Sequence, residues 1–189
     1  MRDNAITKNT ALLIIDVQLG LDAPQLGTRN NPDAESNMAK LLAKWRENSS
    51  PVIHVKHNST EPNSTLRAGL PGNDIKDLVQ PLAEEPLFEK SVNSAFIGTQ
   101  LQSYLEERAI QDLMVVGLTT DHCVSTSVRM AANLGFNVWL VEDGTATFDR
   151  TSFDGEYYSA EQMHAINLAS LNGEFCTVLK TADVLSQFT

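Results

Sequence analysis

Five stretches of this chain are apolar almost without a break, and they limit its fold more than any other feature. They are ALLIIDV (11–17), PVIHV (51–55), LMVVG (113–117), FNVWLV (136–141) and FCTVL (175–179). A strand wetted on one face alternates polar and apolar residues. A continuous run instead describes a strand covered on both faces, as in a parallel sheet. EPLFEK (85–90) supplies one further, shorter strand. Helix-patterned segments at 34–48, 99–108, 122–134 and 160–172 lie between several of the runs, and the size of Trp45 suits packing of helix on sheet. Ser159 and Gln162 have the spacing of a capping box for the last helix, with Gly173 just beyond its end. This alternation predicts a doubly wound α/β domain spanning 1–189.

The rest of the chain narrows the partners. A length of 189 residues suits one well-buried core. A net charge of -10, from 24 acidic and 14 basic residues, argues against nucleic acid or an anionic membrane and leaves a small molecule as the expected ligand. Two cysteines make no disulfide framework and no zinc-type Cys/His spacing, so a reducing cytoplasm is expected. The segment MRDNAITKNT lacks the apolar run of a secretory signal, and no stretch approaches the roughly 20 apolar residues of a membrane span. Two segments depart from the α/β pattern. Residues 58–84 are rich in Pro, Gly, Ser and Asn and read as a long ordered loop, which either shapes a site at the sheet edge or is a surface insertion. In 143–158 the aromatic residues line a pocket, bury the loop itself or meet a neighbouring subunit.

Three polar residues stand at or just beyond strand ends. Asp16 closes the first run, where a carboxylate needs partners and can cap a loop, bind a ligand or accept a proton. Lys90 closes the short strand; it is either a solvated surface lysine or a cation that favours nearby anions. Cys123 follows the strand 113–117 near the start of a helix that Thr119 or Thr120 can cap. It reads as a small buried side chain or as a nucleophile, since a helix N-terminus lowers a thiol pKa and offers free amides to an oxyanion. Cys176, inside FCTVL, reads as a buried inert thiol.

LLIIDVQ, FEKSVNSAF and VVGLTTDHCVSTSVRMAANLGFNVWLVEDGTATFD together resemble the isochorismatase-like cysteine hydrolase superfamily, over about residues 10–180. That resemblance implies a three-layer α/β/α fold whose six-stranded parallel sheet is ordered 3-2-1-4-5-6. It implies a catalytic triad of Asp16, Lys90 and Cys123, a non-proline cis peptide at Leu118–Thr119, and an oxyanion hole formed by the Thr119 and Cys123 amides. It also brings Gln18, Phe96, His57 and Leu118 forward as substrate-binding candidates, and a homodimer or homotetramer as the expected assembly. The metal-binding Asp-x-His of nicotinamidases falls here on His57 and Ser59, and no histidine lies between His57 and His122. The resemblance is therefore to the metal-independent amidase branch, with no metal and no cofactor. His57 then contacts substrate or hydrogen-bonds the 58–84 loop. His122, next to the nucleophile, is expected to play a supporting part, and His54 and His164 to be packing or hydrogen-bonding residues.

The activity implied is hydrolysis of a small amide, carbamoyl or related C–N bond through a covalent Cys123 intermediate. Hydrolysis of an isochorismate-type vinyl ether is the rival within the same resemblance, and a noncatalytic binding protein is the alternative of another class. A dinucleotide-binding reading lacks the Gly-x-Gly-x-x-Gly that it needs after the first strand.

Overall fold

Each apolar run becomes a strand with neighbours on its edges and helices on its faces. The structure is a computed structural model describing residues 6–187; positions 1–5, part of the N-terminal segment considered above, and 188–189 lie outside the described residues. In chain order β1 (Ala11–Ile15), α1 (Ala34–Glu47), β2 (Val52–His57), β3 (Leu87–Lys90) and α2 (Leu101–Glu107) form the first half. The second half holds β4 (Asp112–Leu118), α3 (Ser125–Asn133), β5 (Asn137–Ala146), and a hairpin of β6 (Arg150–Thr151) and β7 (Tyr157–Tyr158). It ends in α4 (Ala160–Leu171), β8 (Thr177–Leu179) and α5 (Thr181–Gln187).

The main sheet is parallel throughout, in the order β3-β2-β1-β4-β5-β8. This is the expected 3-2-1-4-5-6 order, with β8 as the sixth strand. Alternate residues of β1 feed two cores. Ala11, Leu13 and Ile15 pack with Leu101, Leu105, Val128 and Leu171, from α2, α3 and α4. Leu12 and Ile14 pack with Met38, Leu41, Leu42 and Trp45 of α1. Full burial of one such side chain stabilises the fold by about 1.5–3 kcal/mol, so this central strand anchors both layers. Trp45 is fully buried and its Nε1 donates to the Thr10 carbonyl at 2.8 Å. The capping box forms as expected: the Ser159 hydroxyl accepts from the Gln162 amide, and Gln162 Oε1 accepts from the Ser159 amide.

The structure departs from the sequence reading at several places, among them the β6–β7 hairpin within 143–158. Strand β5 continues past Val141 to Ala146, α5 was not anticipated, and the helix expected over 122–134 begins only at Ser125. A wider π-type turn, Thr120–Val124, occupies the junction instead. The 58–84 segment is ordered, with short turns at Pro71–Asn73 and Asp77–Val79. Its anchor is Asn73, which is buried and whose Nδ2 donates to the carbonyls of His57 and Leu66 and to Asn58 Oδ1, at 2.9, 2.8 and 3.0 Å. Among the described residues, no helix is long and apolar enough to cross a membrane.

Close approach of β4 to β1 depends on Gly117. Its φ is +132°, and a Cβ there would stand 2.1 Å from the Ile15 carbonyl oxygen, one residue before Asp16. Gly117→Ala must therefore move backbone against backbone. We expect it to destabilise the protein by about 3 kcal/mol or more in urea unfolding, since strain and overpacking add. A loss within about 0.5 kcal/mol of the parent would contradict the packing described.

Candidate active site

Parallel strands deliver their carboxyl ends to one edge, and side chains placed there meet above the sheet. Asp16 follows β1 in a left-handed conformation, φ +53°, with its amide hydrogen-bonded to the Val55 carbonyl at 2.9 Å. His57 and Lys90 are register partners at the ends of β2 and β3, so they arrive side by side. Cys123 enters from the turn after β4. The four converge on one atom: Lys90 Nζ lies 2.5 Å from Asp16 Oδ2, 3.0 Å from His57 Nδ1 and 3.2 Å from Cys123 Sγ. Both members of the Lys90–Asp16 ion pair are buried. Asp16 Oδ1 is also buried, with no fixed hydrogen-bond partner among the described residues.

The turn that carries the cysteine is tied down on three sides. The Thr119 carbonyl accepts from the amides of His122 and Val124, at 3.1 and 3.2 Å. Thr120 Oγ1 lies 2.9 Å from His164 Nδ1, which joins the turn to α4. Asp121 accepts from Thr147 Oγ1 at 2.5 Å and from Arg150 Nε at 3.1 Å. The Leu118–Thr119 peptide is cis. Among the described residues the Thr119 amide meets no acceptor. His122 projects outward with 58% of its side chain exposed.

A cavity of about 160 Å³ opens on the nucleophile. Asp16, His57, Thr119 and Cys123 line it, with apolar Leu21, Leu66 and Leu118 and the polar Asn93 and His122. Its volume equals about five waters at roughly 30 Å³ each, so only a small group fits beside the sulfur. The sequence reading had brought forward Leu118 and His57 but missed Leu21, Leu66 and Asn93. Asn93 had the clearest signal, a lone amide in the short loop between Lys90 and Phe96; its Oδ1 lies 3.9 Å from Cys123 Sγ.

Two substrate-binding candidates sit elsewhere. Phe96 is in the core, stacked on Phe136 with ring centroids 5.9 Å apart, and does not line the cavity. Gln18 is fully buried, and its amide is already committed: Nε2 donates to the carbonyls of His57 and Asn73, and Oε1 accepts from the His57 amide. Gln18 therefore holds the end of β2 in place rather than facing the cavity. A larger cavity, about 560 Å³, shares only Leu21 with this one. It is lined in part by a self-neutralising cluster in which Arg29 and Lys76 hold Glu35 at about 2 against the upward push of burial.

Burial shapes the electrostatics. It pushes the Asp16 carboxyl above its ordinary value, with Lys90 pulling in the opposite direction. Burial first, and the Asp16 charge second, push the Cys123 thiol up to about 12. This reverses the expectation that a helix start would lower it: the thiol is half-buried, and desolvation of the thiolate outweighs the helix. Burial and the Lys90 ammonium push the His57 imidazole below its ordinary value. Burial also pushes the Cys176 thiol up to about 12, with Arg129 pulling in the opposite direction.

Donor atoms of Asp16, His57 and Cys123 lie within 4.8 Å of one another, the spacing of a metal site. They do not fit a resident metal as they stand, because the Lys90 ammonium already contacts all three. Ser59, at the position of the second ligand of the metal-binding relatives, offers only a hydroxyl, which serves the Glu61 amide.

Comparison with known proteins agrees with this geometry. The isochorismatase domain model matches residues 10–183. The uncharacterized isochorismatase family protein YrdC of Bacillus subtilis is 43% identical, over 94% of this chain and 95% of its own length. A crystal structure of an isochorismatase-family protein from Chromobacterium violaceum has a TM-score of 0.93 at 46% identity, covering 96% of this chain and 94% of that one. Nicotinamidase 3 of Arabidopsis thaliana is 28% identical, over 87% of this chain and 81% of its length. With its parallel sheet, its buried Asp-Lys pair and its cysteine turn, the chain belongs to the isochorismatase family of hydrolases.

Proposed function

We propose that this protein hydrolyses the C–N bond of a small amide or carbamoyl compound through a covalent intermediate on Cys123. One observation carries the reading: a single buried ammonium, Lys90 Nζ, bridges a carboxylate and a thiol at the edge of a small cavity. The family includes a relative named for amidase activity, Nicotinamidase 3, and that name supports the bond class without identifying the substrate.

The resting thiol keeps its proton, because its pKa is about 12. Attack therefore needs a base at the moment of reaction. Asp16 Oδ2 is held by Lys90, which leaves Oδ1 to take the proton as sulfur bonds to the substrate carbonyl carbon. The carbonyl π pair moves to oxygen, and the Thr119 and Cys123 amides receive the oxyanion. Collapse re-forms the carbonyl and breaks the C–N bond, while Asp16 passes its proton to the departing nitrogen. Water then attacks the thioester, giving a proton to Asp16; the thiolate leaves and recovers that proton. Lys90 remains charged throughout and offsets whichever anion, carboxylate or thiolate, is present.

Two measurements test this. With a panel of small primary amides and ureides, intact-mass spectrometry should show a substrate-dependent acyl adduct that maps to Cys123. Cys123→Ala should show no adduct and should lose kcat/KM on the order of 10⁴-fold or more. Turnover near the parent rate in that variant rules the mechanism out.

Asp16→Asn separates nucleophile from base. Because the Asp16 charge helps to raise the thiol pKa, neutralising it lowers that pKa and increases the thiolate fraction at a fixed pH below about 12. Iodoacetamide should then alkylate Cys123 faster than in the parent, while hydrolysis falls about 10²–10⁴-fold. Slower alkylation in the variant would show that Asp16 does not oppose the thiolate.

A further inference from the structure

The Lys90 ammonium has three hydrogens and, within reach, three acceptors. Its side chain is fully buried, so water does not supply an alternative. Asp16 Oδ2 and Cys123 Sγ take two of the hydrogens, at 2.5 and 3.2 Å. His57 Nδ1, at 3.0 Å, is placed for the third, provided that this nitrogen carries no proton of its own. A proton on Nδ1 would set N–H against N–H and leave a buried donor unsatisfied.

We propose that His57 is a positioning residue: held as the Nε2–H tautomer, it accepts from Lys90 at Nδ1 and fixes the ammonium between Asp16 and Cys123. The role rests on the thiol mechanism above. Three further observations support it. The backbone of His57 is clamped by two buried side-chain amides, Gln18 at its N–H and C=O and Asn73 at its C=O. The backbone of Val92, two residues beyond Lys90, acts on the ring in the direction of a hydrogen-bond acceptor, and with Nδ1 turned to Lys90 the tautomer leaves Nε2–H to face it. Burial and the facing ammonium also disfavour the doubly protonated ring, with the Asp16 charge pulling the other way.

This gives the 58–84 excursion a task. Asn73 reaches back from it to the His57 carbonyl, so the loop holds the residue that holds Lys90. Without His57 the ammonium would keep its ion pair with Asp16 but lose its third point of attachment, and with it a defined distance to sulfur.

The test uses the full chain with ¹⁵N-histidine labelling and two variants. In the resting parent, the His57 ¹⁵N resonances should show a bare Nδ1 and a protonated Nε2; a protonated Nδ1 overturns the proposal. His57→Leu should lower kcat about 100-fold, the cost of misplacing a catalytic group by about 1 Å, and leave KM within about threefold. His57→Asn, whose side-chain oxygen can stand where Nδ1 stood, should recover kcat to within about tenfold of the parent. An effect of His57→Leu on KM alone, or no recovery with Asn when both variants unfold at the parent's urea midpoint, overturns the positioning role. Failure of the mechanism itself looks different: Cys123→Ala would stay active while the His57 resonances keep the expected pattern.

Discussion

The Lys90–Asp16 ion pair sits where a protein gains little stability from charge. Moving each ion out of water costs several kcal/mol, and their attraction repays this only when geometry is good and the remaining donors are satisfied. Here the N–O distance is 2.5 Å, and the ammonium has acceptors in the sulfur and the imidazole as well. One carboxylate oxygen is left without a fixed partner. The pair is thus compensated on the lysine side and open on the aspartate side, which suits a proton acceptor more than a structural bridge.

Much of the surrounding architecture exists to hold that arrangement. Parallel order places the ends of β3, β2, β1 and β4 in sequence along one edge, so Lys90, His57, Asp16 and the cysteine turn come from four adjacent strands. Gly117 lets β4 approach β1 at the level of Ile15, next to Asp16. Gln18 and Asn73, both buried amides, each hydrogen-bond the backbone of His57 among their partners. Asp121 and Thr120 tie the nucleophile turn to Thr147, Arg150 and α4.

Nine of the ten expected strands and helices agree with the observed ones to within three residues at both ends, because each leaves a local mark, whereas the sheet order and the grouping of Asp16, Lys90 and Cys123 followed from the family resemblance. Continuous apolar runs mark strands covered on two faces, and Asp16 and Lys90 stand out as charges where such runs stop. What could not be read depends on contacts distant in sequence. Gln18 sits two residues past Asp16 but is turned to backbone groups 39 and 55 residues away. Phe96 follows Lys90 closely, yet finds Phe136 and the core. Leu66 reaches the cavity from inside a loop whose composition says only that it is irregular.

The thiol is the most instructive case. Proximity to a helix start suggested an acidic cysteine, but desolvation of the half-buried thiol and the Asp16 charge carry Cys123 up to about 12. Cys176 arrives at about the same value from burial, against the opposing charge of Arg129. A pKa therefore does not distinguish the cysteine proposed as nucleophile from the inert one. Both cysteines border a cavity, and what differs is the company: Cys123 has an ammonium at 3.2 Å and an unpartnered carboxylate oxygen close by, and neither group lines the cavity at Cys176. A protonated thiol next to a base stays unreactive toward passing electrophiles and becomes a nucleophile only when a carbonyl carbon is in place to accept the sulfur. Under the proposed mechanism, selectivity comes from coupling proton transfer to substrate occupancy of a cavity of about 160 Å³, rather than from a standing thiolate.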